Sequence, residues 1–167
     1  KMLHCEIPAK LAKYASELEV REFIHISSIG ANEGSESYYA KTKGFGEERI
    51  RESFPKAVIL RPSIIYGAED KFFNLFSSIA NISPVIPVVG GQTLFQPVYV
   101  DDIAHAVENL LQNPSLTNKK GLVYELGGTE ILSFRDLISK MLLLIKRKRM
   151  ISEIPFWVAD IMCPVVF

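Results

Sequence analysis

The sequence is poor in cysteine and tryptophan and has no excess charge of either sign. Its 167 residues include two cysteines and one tryptophan, and 19 basic residues balance 19 acidic ones. Cys5 and Cys163 lie near opposite ends without metal-ligand spacing, which favours two free buried thiols in a reducing compartment over a disulfide framework. Because no net positive field attracts nucleic acid, we expect no nucleic-acid partner. A hydrophobic fraction of 48% is typical of a globular domain.

The sequence also lacks long apolar runs and a glycine-rich phosphate turn. No run reaches the roughly 18 residues that a membrane-spanning helix needs, and no secretory signal is expected. In open α/β folds, a glycine-rich turn at a helix N-terminus binds the phosphates of a nucleotide. Gly44 and Gly46 lie inside a predicted helix, with Arg49 at the third position, so we expect no such turn among the ten glycines.

Hydrophobic periodicity alternates between helical and extended segments. Helices are predicted at 6–19, from about 38, at 70–80, 101–112 and 133–149, and strands at 20–28, 56–67, 98–100 and 121–128. The Pro- and Gly-rich residues 83–97 predict a loop, and the apolar residues 57–60 predict a strand buried on both faces. This order predicts an α/β fold with a Rossmann-like, doubly wound parallel sheet.

Both ends of the sequence indicate a fragment. A helix comes first, although a parallel crossover starts from a strand, and the apolar segment 150–167 comes last. We therefore expect residues 1–167 to form a single domain that is the C-terminal part of a larger fold.

Tyr39 and Lys43 form the strongest chemical pattern. They are four residues apart, on one face of the predicted helix. A phenol with an ordinary pKa near 10 is a poor base at neutral pH, and a nearby ammonium favours its ionised form. Ser27 and Ser28 end the preceding strand, at the carboxyl edge where ligands bind in such sheets. Spacing alone leaves two interpretations open, a proton-transfer site or an ordinary charged helix.

Four blocks of sequence resemble a known superfamily in their content and order. They are "REFIHISSIGA", "YYAKTKGFGEERIRESFPKAVILRPSIIYGAEDKFFN", "FQPVYVDDIAHAV" and "YELGG". Together they resemble the extended and atypical short-chain dehydrogenase/reductase superfamily. Within it, they are most similar to the NAD(P)H-binding accessory subunits of respiratory complex I and their bacterial relatives. The resemblance runs from about residue 8 to residue 160.

The resemblance implies roles for individual residues. Tyr39 matches the catalytic tyrosine of the superfamily, Lys43 its ribose-binding lysine, and Ser28 its active-site serine or threonine. The segment "RPSIIYG" matches the part that passes under the nicotinamide of NADP(H) or NAD(H), and the expected contacts are Pro62, Ser63 and Ile64. In active members, a hydride moves between substrate and nicotinamide while the tyrosine moves a proton. The strands that carry the pyrophosphate turn would precede Lys1.

Two functions follow from the resemblance. The first is a nucleotide-holding accessory subunit of NADH:ubiquinone oxidoreductase, with a role in assembly or stability and with other complex I subunits as partners. It would lie on the matrix side of the mitochondrial inner membrane, or in the bacterial cytoplasm or at the inner face of its membrane. The alternative is a free NAD(P)-dependent epimerase, dehydratase or reductase that uses Tyr39, Lys43 and Ser28.

The remaining polar residues give weaker predictions. His25 is expected to pack in the core, His105 to lie at the surface and His4 to lie in a frayed start, so no metal site is expected. Arg61 leaves two interpretations open, a contact with a phosphate or carboxylate ligand and a structural ion pair.

The basic run Lys146–Arg149 lies between an apolar helix and a segment that contains Trp157. One interpretation is a helix C-terminus whose basic residues suit the helix dipole, followed by a core helix. The other is a basic and aromatic edge in peripheral contact with an anionic membrane, which the resemblance to complex I subunits favours.

Overall fold

The computed structural model describes residues 2–117 and 119–155. After a π-helical turn at Met2–Glu6, the α-helices in these ranges are α1 (Ile7–Glu17), α2 (Tyr38–Ser53), α3 (Lys71–Ile82), α4 (Val100–Gln112) and α5 (Phe134–Leu144). The strands are β1 (Ile24–Ile26), β2 (Val58–Pro62), β3 (Ile65–Tyr66), β4 (Val85–Val89), β5 (Leu94–Phe95), β6 (Val98–Tyr99), β7 (Val123–Leu126), β8 (Leu132–Ser133) and β9 (Met150–Ile154). Each helix and strand predicted between residues 6 and 149 has a counterpart, and strands β4, β5, β8 and β9 occur in addition.

The chain divides into two compact units. Unit 1 comprises Lys1–Ser63 and Val98–Gly127, and unit 2 comprises Ile64–Pro97 and Gly128–Phe167. The prediction that residues 1–167 make one domain stays a prediction, and most of the segment 150–167 lies outside the described residues. Among the helices of residues 2–117 and 119–155, none is both long and apolar enough to cross a membrane.

Unit 1 is built on a parallel sheet of strand order β1-β2-β7. Ile24 pairs with Val58, and Ile59 pairs with Val123 in the neighbouring ladder. The strand predicted at 56–67 forms the centre of this sheet, and residues 57–60 are completely or almost completely buried. The predicted α/β class with a parallel sheet is therefore confirmed.

Helices cover both faces of strand β2, as a doubly wound sheet requires. Val58 and Leu60 pack with Leu110 of α4 on one face. Arg61 faces the other way and bonds Glu47 of α2. Helix α2 also packs on α1 through a cluster that includes Ile50 and Ala12. Side-chain alternation along β2 thus places α4 and α2 on opposite faces of the sheet.

Unit 2 packs α3 and α5 against a second, two-stranded parallel sheet. Strand β4 pairs with β9 in register from Val85↔Met150 to Val89↔Ile154. The core of this unit is apolar and contains the buried side chains Ala80, Ile86, Val88, Ile138, Met141 and Leu142. Two capped helices frame it, because Asp70 accepts from Phe73 N at the start of α3 and Ser133 accepts from Asp136 N at the start of α5.

The loop predicted over residues 83–97 was wrong, because this segment contains strands β4 and β5. Prolines and glycines surround and interrupt its apolar residues, which is typical of a loop. Pro87 is exposed within a two-stranded sheet, where a missing backbone N–H is tolerated as on an edge strand. The partner that stabilises β4 is β9, about 65 residues later in the chain, which no local pattern indicates.

Helix α5 ends five residues earlier than its predicted end at residue 149. The N–H groups of Ile145, Lys146 and Arg147 bond carbonyls of the last helical turn, and Lys146 adopts a left-handed φ of 54°. The basic run therefore follows the helix end instead of forming its last turn. The core helix expected next was wrong for Met150–Ile154, which form strand β9.

A buried ion pair joins helix α2 to the sheet of unit 1. Glu47 is 1% exposed and accepts hydrogen bonds from Arg61 at 2.9 and 2.7 Å and from Arg51 at 3.1 Å. Burial alone would raise the pKa of Glu47, but the hydrogen bonds from Arg61 and the positive charges of Arg61 and Arg51 outweigh it. The pKa of this carboxyl therefore lies below its ordinary value, and Glu47 is ionised at neutral pH. Of the two interpretations of Arg61, the structural ion pair is the one found.

We expect Glu47→Gln to lower the free energy of unfolding by about 2–3 kcal/mol, because it leaves the partly buried Arg61 with only the longer ion pair to the exposed Glu125. The matched control is Glu48→Gln, since Glu48 is exposed and within residues 2–117 and 119–155 pairs only with Arg51. This control should change the free energy by less than about 0.5 kcal/mol. Urea denaturation of the two variants measures the difference, and equal effects would contradict the role given to Glu47.

Candidate functional site

The segment after β1 carries Ser28 along the carboxyl edge of the parallel sheet. Ser27 N donates to Leu60 O at 2.7 Å, and Ile29 N donates to Pro62 O at 3.0 Å, so pairing with β2 continues past the end of β1. The hydroxyl oxygen of Ser28 is buried and has no hydrogen-bond partner among the described residues. Buried hydroxyls in proteins are normally paired. Ser28 therefore has unused hydrogen-bonding capacity at the edge where ligands bind in this type of sheet.

Helix α2 places Tyr39 and Lys43 on one face. The hydroxyl of Ser37 accepts from Ala40 N, so Ser37 is the N-cap and the helix begins at Tyr38, as the prediction required. Lys43 Nζ lies 5.8 Å from the centroid of the Tyr39 ring, within the range of a cation–π contact. Tyr39 is about half exposed. The structure thus brings the two residues together, with the phenol open to a ligand.

Gly44 allows the loop that follows Ser28 to rest directly on α2. A Cβ atom at Gly44 would lie 2.6 Å from the backbone of Asn32 and Glu33, which real contacts do not permit. Asn32 N also donates to Ala40 O at 3.2 Å, in the first turn of the helix. These contacts fix the Ser28 loop against the helix that carries Tyr39.

Pro62 and Ser63 continue the same edge of the sheet. Pro62 ends β2 and is buried, and Ser63 N donates to Leu126 O of β7 at 2.9 Å. Because Ile29 N bonds Pro62 O, Pro62 and the following Ser63 lie beside the segment that carries Ser28. Ile64, the third expected nicotinamide contact, is the first residue of unit 2, and its role stays a prediction.

His25 lies on the α2 side of β1. Burial and then the positive charge of Lys43 lower the pKa of His25 to about 4, and the negative charge of Glu47 partly opposes them. The imidazole is therefore neutral at pH 7. Its Nε2 atom is buried without a hydrogen-bond partner in the described part of the chain. This location agrees with the expected core histidine.

The sequence did not indicate the role of His4, which was expected in a frayed start. His4 lies in the π-helical turn Met2–Glu6, and its ring contacts the Tyr39 ring edge-on with centroids 5.2 Å apart. Gly46 makes this possible, because a Cβ there would lie 2.0 Å from His4 O. The sequence did contain one signal for such a contact. Gly44 and Gly46 lie two residues apart inside a regular helix, which indicates close packing of neighbouring backbone.

His105 and the cleft described below lie outside the candidate site. His105 is exposed on α4, as expected. Within residues 2–117 and 119–155, no group of three His, Cys, Asp or Glu side chains could hold a metal ion. An open cleft in unit 2 is lined by residues 90–93 and 153–155, which include none of the predicted site residues. The candidate site is therefore the carboxyl edge of the unit 1 sheet with helix α2.

Comparison with known proteins identifies the family. The sequence profile of the RmlD substrate binding domain matches residues 3–150. The NADH dehydrogenase [ubiquinone] 1 alpha subcomplex subunit 9 of Dictyostelium discoideum is 34% identical over 74% of the chain and 34% of its own length. The subunit of the same name from Arabidopsis thaliana is 33% identical over 93% of the chain and 39% of its own length.

A solved structure supports the same fold assignment. The dTDP-4-dehydrorhamnose reductase of Bacillus anthracis in complex with NADP superposes with a TM-score of 0.76 at 18% identity, over 91% of the chain and 57% of the reductase. The chain spans about a third of the length of the curated relatives described above. The resemblance to the atypical short-chain dehydrogenase/reductases and to complex I accessory subunits is confirmed. The chain belongs to the RmlD substrate binding domain family, an atypical branch of the short-chain dehydrogenase/reductases.

Proposed function

We propose that the protein is a NAD(P)H-binding accessory subunit of respiratory complex I that contributes to its assembly or stability. The observation that carries the nucleotide-binding part is the Tyr39–Lys43 pair on the helix against which the loop after Ser28 packs. The buried hydroxyl of Ser28 has no partner among the described residues. The identity with complex I subunits, over nearly the whole chain for the plant relative, supports the accessory role. The relatives are mitochondrial by name, which supports a location at the matrix side of the inner membrane or at the equivalent bacterial surface.

The residues at the sheet edge fit a nicotinamide nucleotide. Lys43 carries an ammonium that can donate to ribose hydroxyls, and Pro62 with Ser63 offers backbone and side-chain contacts for the nicotinamide end. Ser28 has a hydroxyl that no described residue uses. When bound, the nucleotide would supply hydride chemistry. Residues 1–167 contain no glycine-rich phosphate turn, so the contacts proposed here concern the ribose and nicotinamide end of the nucleotide.

The second candidate function is a free NAD(P)-dependent epimerase, dehydratase or reductase. The exposure of the Tyr39 ring favours it, because a half-exposed phenol beside an ammonium can transfer a proton at a substrate oxygen. Ser28 would orient that oxygen by a hydrogen bond. An accessory subunit needs Lys43 for nucleotide binding but has no need of the Tyr39 hydroxyl, and this difference separates the two functions.

We expect millimolar NADPH or NADH to raise the Tm of the full-length protein by several degrees. A ligand that binds only the folded state at about 100 times its Kd adds roughly 2.7 kcal/mol. Lys43→Met should weaken binding about tenfold or more, since it removes a charged hydrogen-bond donor. Lys41→Met is the matched control, because Lys41 is exposed on the same helix. No shift in the native protein would contradict nucleotide binding, and equal loss in both variants would contradict the role of Lys43.

The accessory role predicts that the protein migrates with complex I on a native gel. Deleting the gene should reduce the amount of assembled complex, and re-expression of either the native protein or Tyr39→Phe should restore it fully. The second candidate function predicts the opposite for Tyr39→Phe, which would lose turnover because it removes the proton-transferring hydroxyl. Failure of the native protein to migrate with the complex would contradict the accessory role.

We also propose that the basic run Lys146–Arg149 contacts an anionic membrane peripherally. Lys146, Arg147 and Lys148 are exposed, and no ion pair with a described carboxylate involves them. Leu143 and Leu144, just before the run, are 77% and 82% exposed. Exposed apolar side chains next to unpaired cations suit an anionic lipid surface. Trp157, which the sequence analysis predicted to be part of this surface, lies outside the described residues.

Charge reversal tests this contact. Arg147→Glu with Lys148→Glu should weaken binding to mixed phosphatidylglycerol–phosphatidylcholine vesicles at least about tenfold, since each surface cation contributes about 1 kcal/mol. The control is Lys119→Glu with Lys120→Glu, which makes the same charge change at an exposed pair in unit 1. Vesicle co-sedimentation measures both variants. Equal weakening would mean that only net charge matters and would contradict a specific surface.

A further inference from the structure

The turn Met2–Glu6 is fixed against the helix that carries Tyr39. Gly46 of α2 has no side chain, and its backbone lies so close to His4 that a Cβ would meet His4 O at 2.0 Å. Cys5, the next residue, is 1% exposed. The backbone of His4 is therefore held by packing and not only by its own turn, so the direction of its ring is determined by α2.

The ring of His4 makes two contacts with α2. Its plane is at 86° to that of Tyr39, with centroids 5.2 Å apart, which is the favourable edge-to-face geometry. Its Nδ1 atom lies 3.2 Å from Thr42 Oγ1, and that hydroxyl donates its own proton to Tyr39 O at 3.0 Å. Because the Thr42 proton is used, Thr42 Oγ1 accepts from His4, which therefore carries its proton on Nδ1 when neutral. Nε2 is then the atom that can take up a second proton.

The surroundings of His4 disfavour its charged form. Burial lowers the pKa of His4, and the positive charge of Lys43 lowers it further. Helix α1 also packs against this turn; its Lys10, Lys13 and Glu17 are exposed, and Lys13 pairs with Glu17. From α2, the groups that face His4 are Tyr39, Thr42 and Lys43. His4 is thus neutral at pH 7, and Lys43 is the cation beside the Tyr39 phenol.

We propose that His4 is a positioning residue of the Tyr39–Lys43 site, whose neutral imidazole holds the Tyr39 ring and whose protonation places a second cation beside it. The relevance of this inference to function rests on the proposed nucleotide site. The contacts between His4 and Tyr39 do not, because they need no nucleotide. It assigns to the site an acid-sensitive element that lies outside the Tyr39, Lys43 and Ser28 group. Below the His4 pKa, the electrostatic environment of the phenol changes while the fold persists.

The test follows the Tyr39 ring signal by NMR in full-length protein labelled with ¹³C at the tyrosine ε carbons. The signal is assigned by its loss in Tyr39→Phe. We expect it to shift with pH in one step whose midpoint lies below the ordinary histidine value of 6.5. His4→Phe should keep the neutral-state signal position through its ring packing but abolish the step. His4→Gln, which keeps a donor for Thr42 but cannot titrate in this range, should abolish the step as well.

A Tyr39 signal that does not move in the native protein between pH 4 and 7 would overturn the proposal. So would a step that persists in His4→Phe and His4→Gln, since it would then report another titrating group, such as His25. The experiment contains no nucleotide, so its failure is distinct from a failure of nucleotide binding. A melting shift with NADPH and no Tyr39 titration would sink the role of His4 and keep the proposed function.

Discussion

The geometry of the candidate site depends on one buried carboxylate. Glu47 lies one turn after Lys43 and two turns after Tyr39, so all three side chains leave α2 on the same face. Two short hydrogen bonds join Glu47 to Arg61, the residue before Pro62 at the end of the central strand. A buried carboxylate without that partner would be strongly unfavourable, so the helix has one allowed rotation and one register on the sheet. The same constraint directs Tyr39 and Lys43 towards the carboxyl edge.

Two glycines then determine what packs around this helix. Each helix-interior glycine costs about 1 kcal/mol relative to alanine, which tertiary contacts must offset. Gly44 admits the backbone of the Ser28 loop, and Gly46 admits the turn that carries His4. The pattern "KGFGEER" resembles an incomplete nucleotide loop, but it serves to bring two backbone segments into contact with α2. The backbone of Asn32 and Glu33 and the turn that carries His4 therefore reach α2 because these two helix positions have no side chain.

Local signals in the sequence were sufficient for most elements and for the Tyr39–Lys43 pair. Ser37 begins α2 and Ser133 begins α5 through the capping bonds that those residue types predict. Local sequence signals could not predict which residues far apart in the chain contact each other. Strand β4 depends on β9, a partner near the end of the described chain. The ion pair between Arg61 and Glu47 joins a strand to a helix, 14 residues apart. The contact of His4 with Tyr39 is of the same long-range kind, 35 residues apart.

On our proposal, this edge of the sheet binds a nicotinamide nucleotide in a protein related to complex I subunits. The most direct measurement is a crystal structure of the full-length protein grown with saturating NADPH. We expect density for the nucleotide, with a ribose hydroxyl within hydrogen-bond distance of Lys43 Nζ and the nicotinamide beside Pro62 and Ser63. A nucleotide bound at another surface, or a protein that binds none at saturating concentration, would contradict it.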